Sequence, residues 1–143
     1  MAVSTTFKVV VSDPKTRKAY QKEVDHGTSG LIGRKIRDKV PGDFFGLKGY
    51  ELEITGGSDR EGFPMRRDVE GQGRKRLLLA GAPGFHPRIE GQRKRKSTRG
   101  NTISQEIIQV NAKIVKHGDK APEELLDIKP KGKEEGKEEK PAE

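Results

Sequence analysis

The chain has 143 residues, with 30 Lys and Arg against 22 Asp and Glu, a net charge of +8, and only 29% hydrophobic and 5% aromatic residues beside 36% charged ones. That length allows one modest domain or a small domain with a tail, and so few apolar side chains make a thin core without the walls of a large catalytic pocket. The absence of Cys excludes disulfides, thiol catalysis and thiolate metal sites, and the longest apolar runs, Val9-Val10-Val11 and Leu77-Leu78-Leu79-Ala80, fall far short of the roughly 20 residues of a membrane span.

Phe7–Ser12 is short and rich in β-branched residues, which predicts a strand. Asp13-Pro14-Lys15-Thr16-Arg17 carries turn chemistry, and Lys18–Val24 then returns as a second strand to complete a hairpin. Asp25–Gly30 reads as a loop. Ile32, Ile36 and Val40 recur at i, i+4 and i+8 among charged residues, a pattern that predicts a short amphipathic helix stopped before Pro41-Gly42.

Tyr50–Thr55 alternates strictly, placing Tyr50, Leu52 and Ile54 on one face of a strand. Arg74–Ala80 ends in a further strand, and Ile108, Val110, Ala112 and Ile114 alternate within an extended segment from Ile103 to Val115. Pro122–Leu126 reads as one helical turn, with Pro early and acids at its positive end. Residues 129–143 hold one aliphatic residue, Ala142, and are expected to be disordered. The predicted class is mainly β: a small β-barrel-like domain with one short helix and long basic loops at 56–73 and 82–100. The domain spans 1–118, followed by a charged tail at 119–143.

Charge is distributed unevenly. Residues 60–100 hold twelve Lys and Arg against four acids, a surplus equal to the whole net charge, whereas residues 119–143 carry nine acids and six lysines. A solvated face mixes both signs, so this clustering points to a polyanionic partner. Arg93-Lys94-Arg95-Lys96-Ser97-Thr98-Arg99 packs five cations into seven residues, which suits an RNA or DNA backbone. A solvated loop or a localisation signal would show the same run. With so little apolar anchorage, residues 82–100 are expected to order only on RNA.

Two further stretches leave alternatives open. Gly56-Gly57-Ser58-Asp59-Arg60-Glu61-Gly62-Phe63-Pro64-Met65 is either an anion-binding backbone nest or an ordinary glycine turn, and its spacing fits no nucleotide-binding loop. Gly81–Arg88 sets Phe85 and His86 between prolines, either to stack on an unpaired base while Arg88 holds a phosphate, or to let Phe85 plug the rim of the core.

Catalysis has little to stand on. His26, His86 and His117 are scattered without metal-ligand spacing, and Asp25, His26 and Ser29 lie too close in sequence for a catalytic triad. No metal, cofactor or small-molecule substrate is expected. Met1–Thr6 lacks both the basic start and the apolar stretch of a signal peptide, so an intracellular protein is expected.

The block Phe44-Phe45-Gly46-Leu47-Lys48-Gly49-Tyr50 through Gly56-Gly57-Ser58-Asp59 and Gly62-Phe63-Pro64-Met65 closely resembles the signature of the eukaryotic-type ribosomal protein S-six family of the small subunit. The likeness extends from Phe7 through Ile32–Ile36 to Arg93–Gly100, Thr102–Ser104 and Ile107–Asn111. It implies a β-barrel-like domain seated on small-subunit ribosomal RNA beside neighbouring ribosomal proteins, in cytoplasmic ribosomes. Arg60, Arg66, Arg67, Arg74, Lys75, Arg76, His86, Arg88, Arg93, Lys94, Arg95, Lys96 and Arg99 are then the expected RNA-binding residues, with Arg93–Lys96 and Arg99 deepest. The family's C-terminal serine cluster has no counterpart here, so kinase regulation is not implied. The rival reading is a module whose basic segment docks an acidic protein.

Overall fold

A computed structural model describes residues 5–126; the disorder expected for 129–143 concerns residues outside that range. Seven strands form two sheets. The larger has the order β2–β1–β7–β4–β3, built from β1 (Thr6–Asp13), β2 (Lys18–Asp25), β3 (Lys39–Pro41), β4 (Glu51–Asp59) and β7 (Ile107–Lys116). The smaller is an antiparallel hairpin of β5 (Arg74–Leu79) and β6 (Lys94–Arg99). β1 pairs antiparallel with β2 and parallel with β7, and β7 pairs antiparallel with β4.

The core lies on one face of the larger sheet. Phe7, Val9 and Val11 from β1, Leu52 and Ile54 from β4, and Val110, Ala112 and Ile114 from β7 meet there, as period-2 alternation requires. A 3-10 turn at Gly42–Phe45 brings Phe45 and then Leu47 over this face, and Leu125 and Leu126 at the end of α2 (Pro122–Leu125) pack against its edge. Ile107 is buried while Ile108 is only half-buried, because the pairing slips between Ser58 and Asp59 and reverses the alternation at that end.

The mainly β class holds, but the sheets do not close into a barrel among the described residues. The helix predicted from Ile32, Ile36 and Val40 does not form. Gly33 and Arg37 take left-handed backbone angles, φ 88° and 77°, which no α-helix accommodates. The amides of Gly33, Ile36 and Arg37 donate instead to the carbonyls of Ile103, Asn101 and Ile54. Pairing with the strand-like segment 101–103 outcompetes a stripe of three residues, and Ile32 is left 40% exposed. The helical turns lie elsewhere, at α1 (His26–Ser29) and at α2, the latter where the sequence placed one.

Strands also occupy parts of both segments read as loops. β4 runs on through Gly56-Gly57-Ser58-Asp59, and Lys94–Arg99 is a strand rather than a free basic loop. From the end of β6 the chain threads between two neighbours: Arg99 N–H donates to Pro64 O, Asn101 N–H to Val69 O and Thr102 N–H to Gly71 O on one side, and Asn101 O accepts from Ile36 N–H on the other. This passage is so tight that a Cβ on Gly100 would stand 1.9 Å from Gly71 O.

Candidate nucleic-acid interface

The glycine-rich block folds as a turn, not as an anion nest. Gly57 presses against β7, where a Cβ would stand 2.3 Å from Gln109 O, and Met65 N–H donates back to Gly57 O at 2.9 Å. Asp59 closes the turn: its Oδ1 accepts from Phe63 N–H at 2.8 Å, and its backbone N–H donates to Phe63 O at 3.1 Å. The amides of Asp59, Gly62, Phe63 and Met65 are thus bonded within the block, which presents a buried carboxylate.

That carboxylate anchors the basic hairpin. Along β5 and β6 the cations face neutral partners: Lys75 opposes Thr98, Arg76 opposes Ser97, and Lys96, Arg95 and Lys94 oppose Leu77, Leu78 and Leu79. Only Arg74 and Arg99 are directly opposed cations, an arrangement that is repulsive by itself. Asp59 Oδ2 lies between them, 3.1 Å from Arg74 Nη2 and 2.8 Å from Arg99 Nε. Glu61 takes a second bond from Arg74 and Glu106 one from Arg99, while Arg99 Nη1 donates to Gln72 O at 2.9 Å. The Arg74 guanidinium also sits 4.7 Å over the Phe63 ring. Burial favours the neutral acid at Asp59, but the Arg99 hydrogen bond, the Phe63 amide and the Arg74 charge outweigh it and hold the carboxyl below its usual range.

The thirteen residues named from the sequence thus divide. Arg99, expected among the deepest in RNA, is 4% exposed and saturated by Asp59, Glu106 and Gln72. It fastens the hairpin through these partners, at the edge of a cleft it lines with Gln72 and Glu106. Arg74 is shared between Asp59 and Glu61, and Arg66 forks onto Asp68 and donates to Pro83 O. Arg60, Arg67, Lys75, Arg76, Arg88, Arg93, Lys94, Arg95 and Lys96 have no ion-pair partner among the described residues, and all but half-buried Lys96 are exposed. Odd and even positions of each strand point to opposite faces, so Arg76 and Arg95 flank exposed Leu78 on one side while Lys75, Lys94 and Lys96 share the other.

At the hairpin tip the second face ends in a cleft of about 440 Å³ lined by Phe85, His86, Arg88, Gln92, Lys94 and Lys96. Phe85 is buried, so of the two aromatic groups only His86 is exposed at this tip. Gln92 Oε1 accepts from Arg88 N–H at 2.9 Å and shapes this tip. Two cations absent from the sequence-based set, Arg37 and Lys113, line a separate cleft with Arg66 and Arg67. The basic run Arg34-Lys35-Ile36-Arg37 was the available signal, but its reading as a helix face concealed it.

Ser29 Oγ donates to His26 O, and the His26 ring packs on Phe7 at 4.0 Å between centroids, so Asp25, His26 and Ser29 form no triad. Among the described residues no His, Asp and Glu cluster is placed to hold a metal ion, and no helix is long and apolar enough to cross a membrane.

Comparison with known proteins finds relatives over most of the chain. A family model described as ribosomal protein S6e matches residues 7–127. A protein of Methanocaldococcus jannaschii named small ribosomal subunit protein eS6 is 48% identical over 123 residues, which is 86% of this chain and 92% of that one. Proteins of the same name from Archaeoglobus fulgidus and Methanothermobacter thermautotrophicus are 52% and 51% identical, over 84% of this chain and 95% and 94% of theirs. The matched region takes in the Gly56–Met65 turn, the carboxylate it presents and the hairpin it anchors, and the chain belongs to the ribosomal protein S6e family.

Proposed function

We propose that this chain is a structural component of the small ribosomal subunit that binds ribosomal RNA through the β5–β6 hairpin and its flanks, in cytoplasmic ribosomes and beside other subunit proteins. The observation that carries this reading is the set of unpaired cations on a hairpin whose remaining charges are neutralised internally. Arg74 and Arg99 are spent on anchorage, which frees Lys75, Arg76, Lys94, Arg95 and Lys96 to meet phosphates on both faces. Arg60, Arg67, Arg88 and Arg93 extend the same surface. Phosphate contacts position such a protein, and RNA shape supplies the specificity, with His86 offered to an unpaired base over the tip cleft. No step of this function requires catalysis, a metal or a cofactor.

Sedimentation of native lysate tests the assignment. The chain is expected to travel with the small subunit and to remain on it after a high-salt wash. A chain that stays at the top of the gradient would refute the ribosomal reading and turn attention to an acidic protein partner.

A further inference from the structure

A cleft of about 470 Å³ lies between the segment around Arg37, strand β4 and the turn at Arg66–Asp68. Most of its charges are matched. Arg66 forks onto Asp68 at 2.9 and 3.0 Å and gives Nη1 to Pro83 O at 2.8 Å, and Lys113 stands 3.6 Å from Glu53. Arg37 and Arg67 are left over, both exposed and without an ion-pair partner among the described residues. Two uncompensated guanidinium groups lining one open cleft attract an anion by charge, and each carries a fork of donors that suits a phosphate.

Arg37 adds an independent observation. Its φ of 77° suits Gly or Asn and crowds the Cβ of any longer side chain. The surrounding backbone imposes this angle: Arg37 N–H donates to Ile54 O at 2.7 Å, Ile54 N–H to Asp38 O at 3.0 Å, and Asp38 N–H to Lys35 O at 3.1 Å. No hydrogen bond or ion pair within the described residues uses its guanidinium. The fold thus makes no use of the Arg37 guanidinium, which its place in the cleft leaves free for a ligand. Arg17 has the same kind of backbone, φ 59°, in the β1–β2 turn but stands outside the cleft, which makes it a matched control.

We propose that Arg37 and Arg67 together clamp one phosphodiester of RNA in this cleft, a contact separate from the hairpin. The proposal rests on the ribosomal-RNA reading above and extends it to a second surface. Continuity favours RNA over an acidic protein: Arg66, next to Arg67 in the lining, joins β6 through its N–H to Arg99 O, so the cleft adjoins the base of the basic hairpin. Ile36 in its lining offers an apolar contact to the ribose.

The test is equilibrium binding of the full chain to an in vitro transcript of its own small-subunit ribosomal RNA across a salt series, with melting temperatures recorded in parallel. Arg37→Gly is expected to weaken binding about 10- to 100-fold, the loss typical of a charge-assisted hydrogen bond. Only when Arg67→Gln is added, releasing the shared phosphate, should the Arg37→Gly chain lower its salt slope by about 0.7–0.9, one phosphate contact. Its melting temperature should not fall, because Gly accepts the angle that Arg resists, and Arg37→Asn should behave alike. Arg37→Gly combined with Arg67→Gln should lose less than the product of the two single losses, since both groups hold one phosphate. Arg17→Gly should change neither affinity nor slope. If Arg37→Gly binds like the wild type while Arg95→Ala weakens binding, the clamp is overturned and the hairpin reading stands. If Arg37→Gly binds the transcript normally but fails to enter reconstituted subunits, the cleft serves a protein neighbour and the phosphate assignment falls. A wild-type chain with no salt-dependent affinity for the transcript overturns both readings.

Discussion

At the scale of single residues, Asp59 is where the fold and the interface meet. Its carboxylate converts the repulsion between Arg74 and Arg99 into an anchor that ties the hairpin to the end of β4. Arg99 is 5% exposed along its side chain, so removing Asp59 leaves the Nε–H of a buried cation without its carboxylate and Glu106 as its one remaining counter-charge. Asp59→Asn should cost about 1–3 kcal/mol of stability, measured by denaturant unfolding, with the hairpin becoming the first site of proteolysis. An unchanged unfolding midpoint would show that the network is not a fastening. Gly100 is the second such residue: Gly100→Ala forces its Cβ to 1.9 Å from Gly71 O, and the shift of backbone required should cost about 1–3 kcal/mol. Gly62→Ala, where a Cβ meets nothing within 4 Å but φ is 87°, isolates the effect of backbone angle from that of space.

At the scale of elements, the β5–β6 hairpin separates binding from stability. Arg76 and Arg95 are exposed and unpaired, so Arg76→Ala and Arg95→Ala should each change stability by no more than about 0.5 kcal/mol. Each should lower the salt slope of RNA binding by about 0.7–0.9. A loss of affinity with an unchanged slope would argue against phosphate contacts. A two-stranded hairpin alone is marginal in water, and here it holds because Leu79 and Thr98 are buried and its base is locked by Asp59. Residues 82–100, expected from sequence to order only on RNA, should therefore divide in amide exchange on the free chain. Lys94–Arg99 should be protected and Arg88–Arg93 should exchange quickly. Uniformly fast exchange across 94–99 would restore the loop reading.

At the scale of the whole molecule, two buried carboxylates set the acid limit of stability. Burial would raise the Asp13 carboxyl, but His117, the Lys15 amide and the Thr16 hydroxyl hydrogen-bond to it and hold it lower than usual, as Arg99, Phe63 and Arg74 do for Asp59. A carboxyl with a lower value folded than unfolded contributes stability that is complete above the unfolded value, about 3.9 for Asp. That contribution is lost as pH falls through the folded value. Melting temperature is therefore expected to be flat with respect to these groups above roughly pH 5 and to fall steeply below roughly pH 4. Asp59→Asn should remove part of that acid slope, and a slope identical to the wild type would exclude Asp59 as its source.

Much of the larger sheet was legible along the chain because a half-buried strand writes its own period. Phe7, Val9 and Val11, Leu52 and Ile54, and Val110, Ala112 and Ile114 alternate as one-sided burial demands. The basic surface was legible too, since a local excess of one charge needs no fold to be seen. Long-range backbone pairing was not legible. It drew 33–37 out of a helix, made a strand of the basic run at 94–99 and slipped the register near Ile107. Only that tertiary pairing decided which cations are free, because Arg74 and Arg99 look no different in sequence from Arg76 and Arg95 until Asp59 is brought between them.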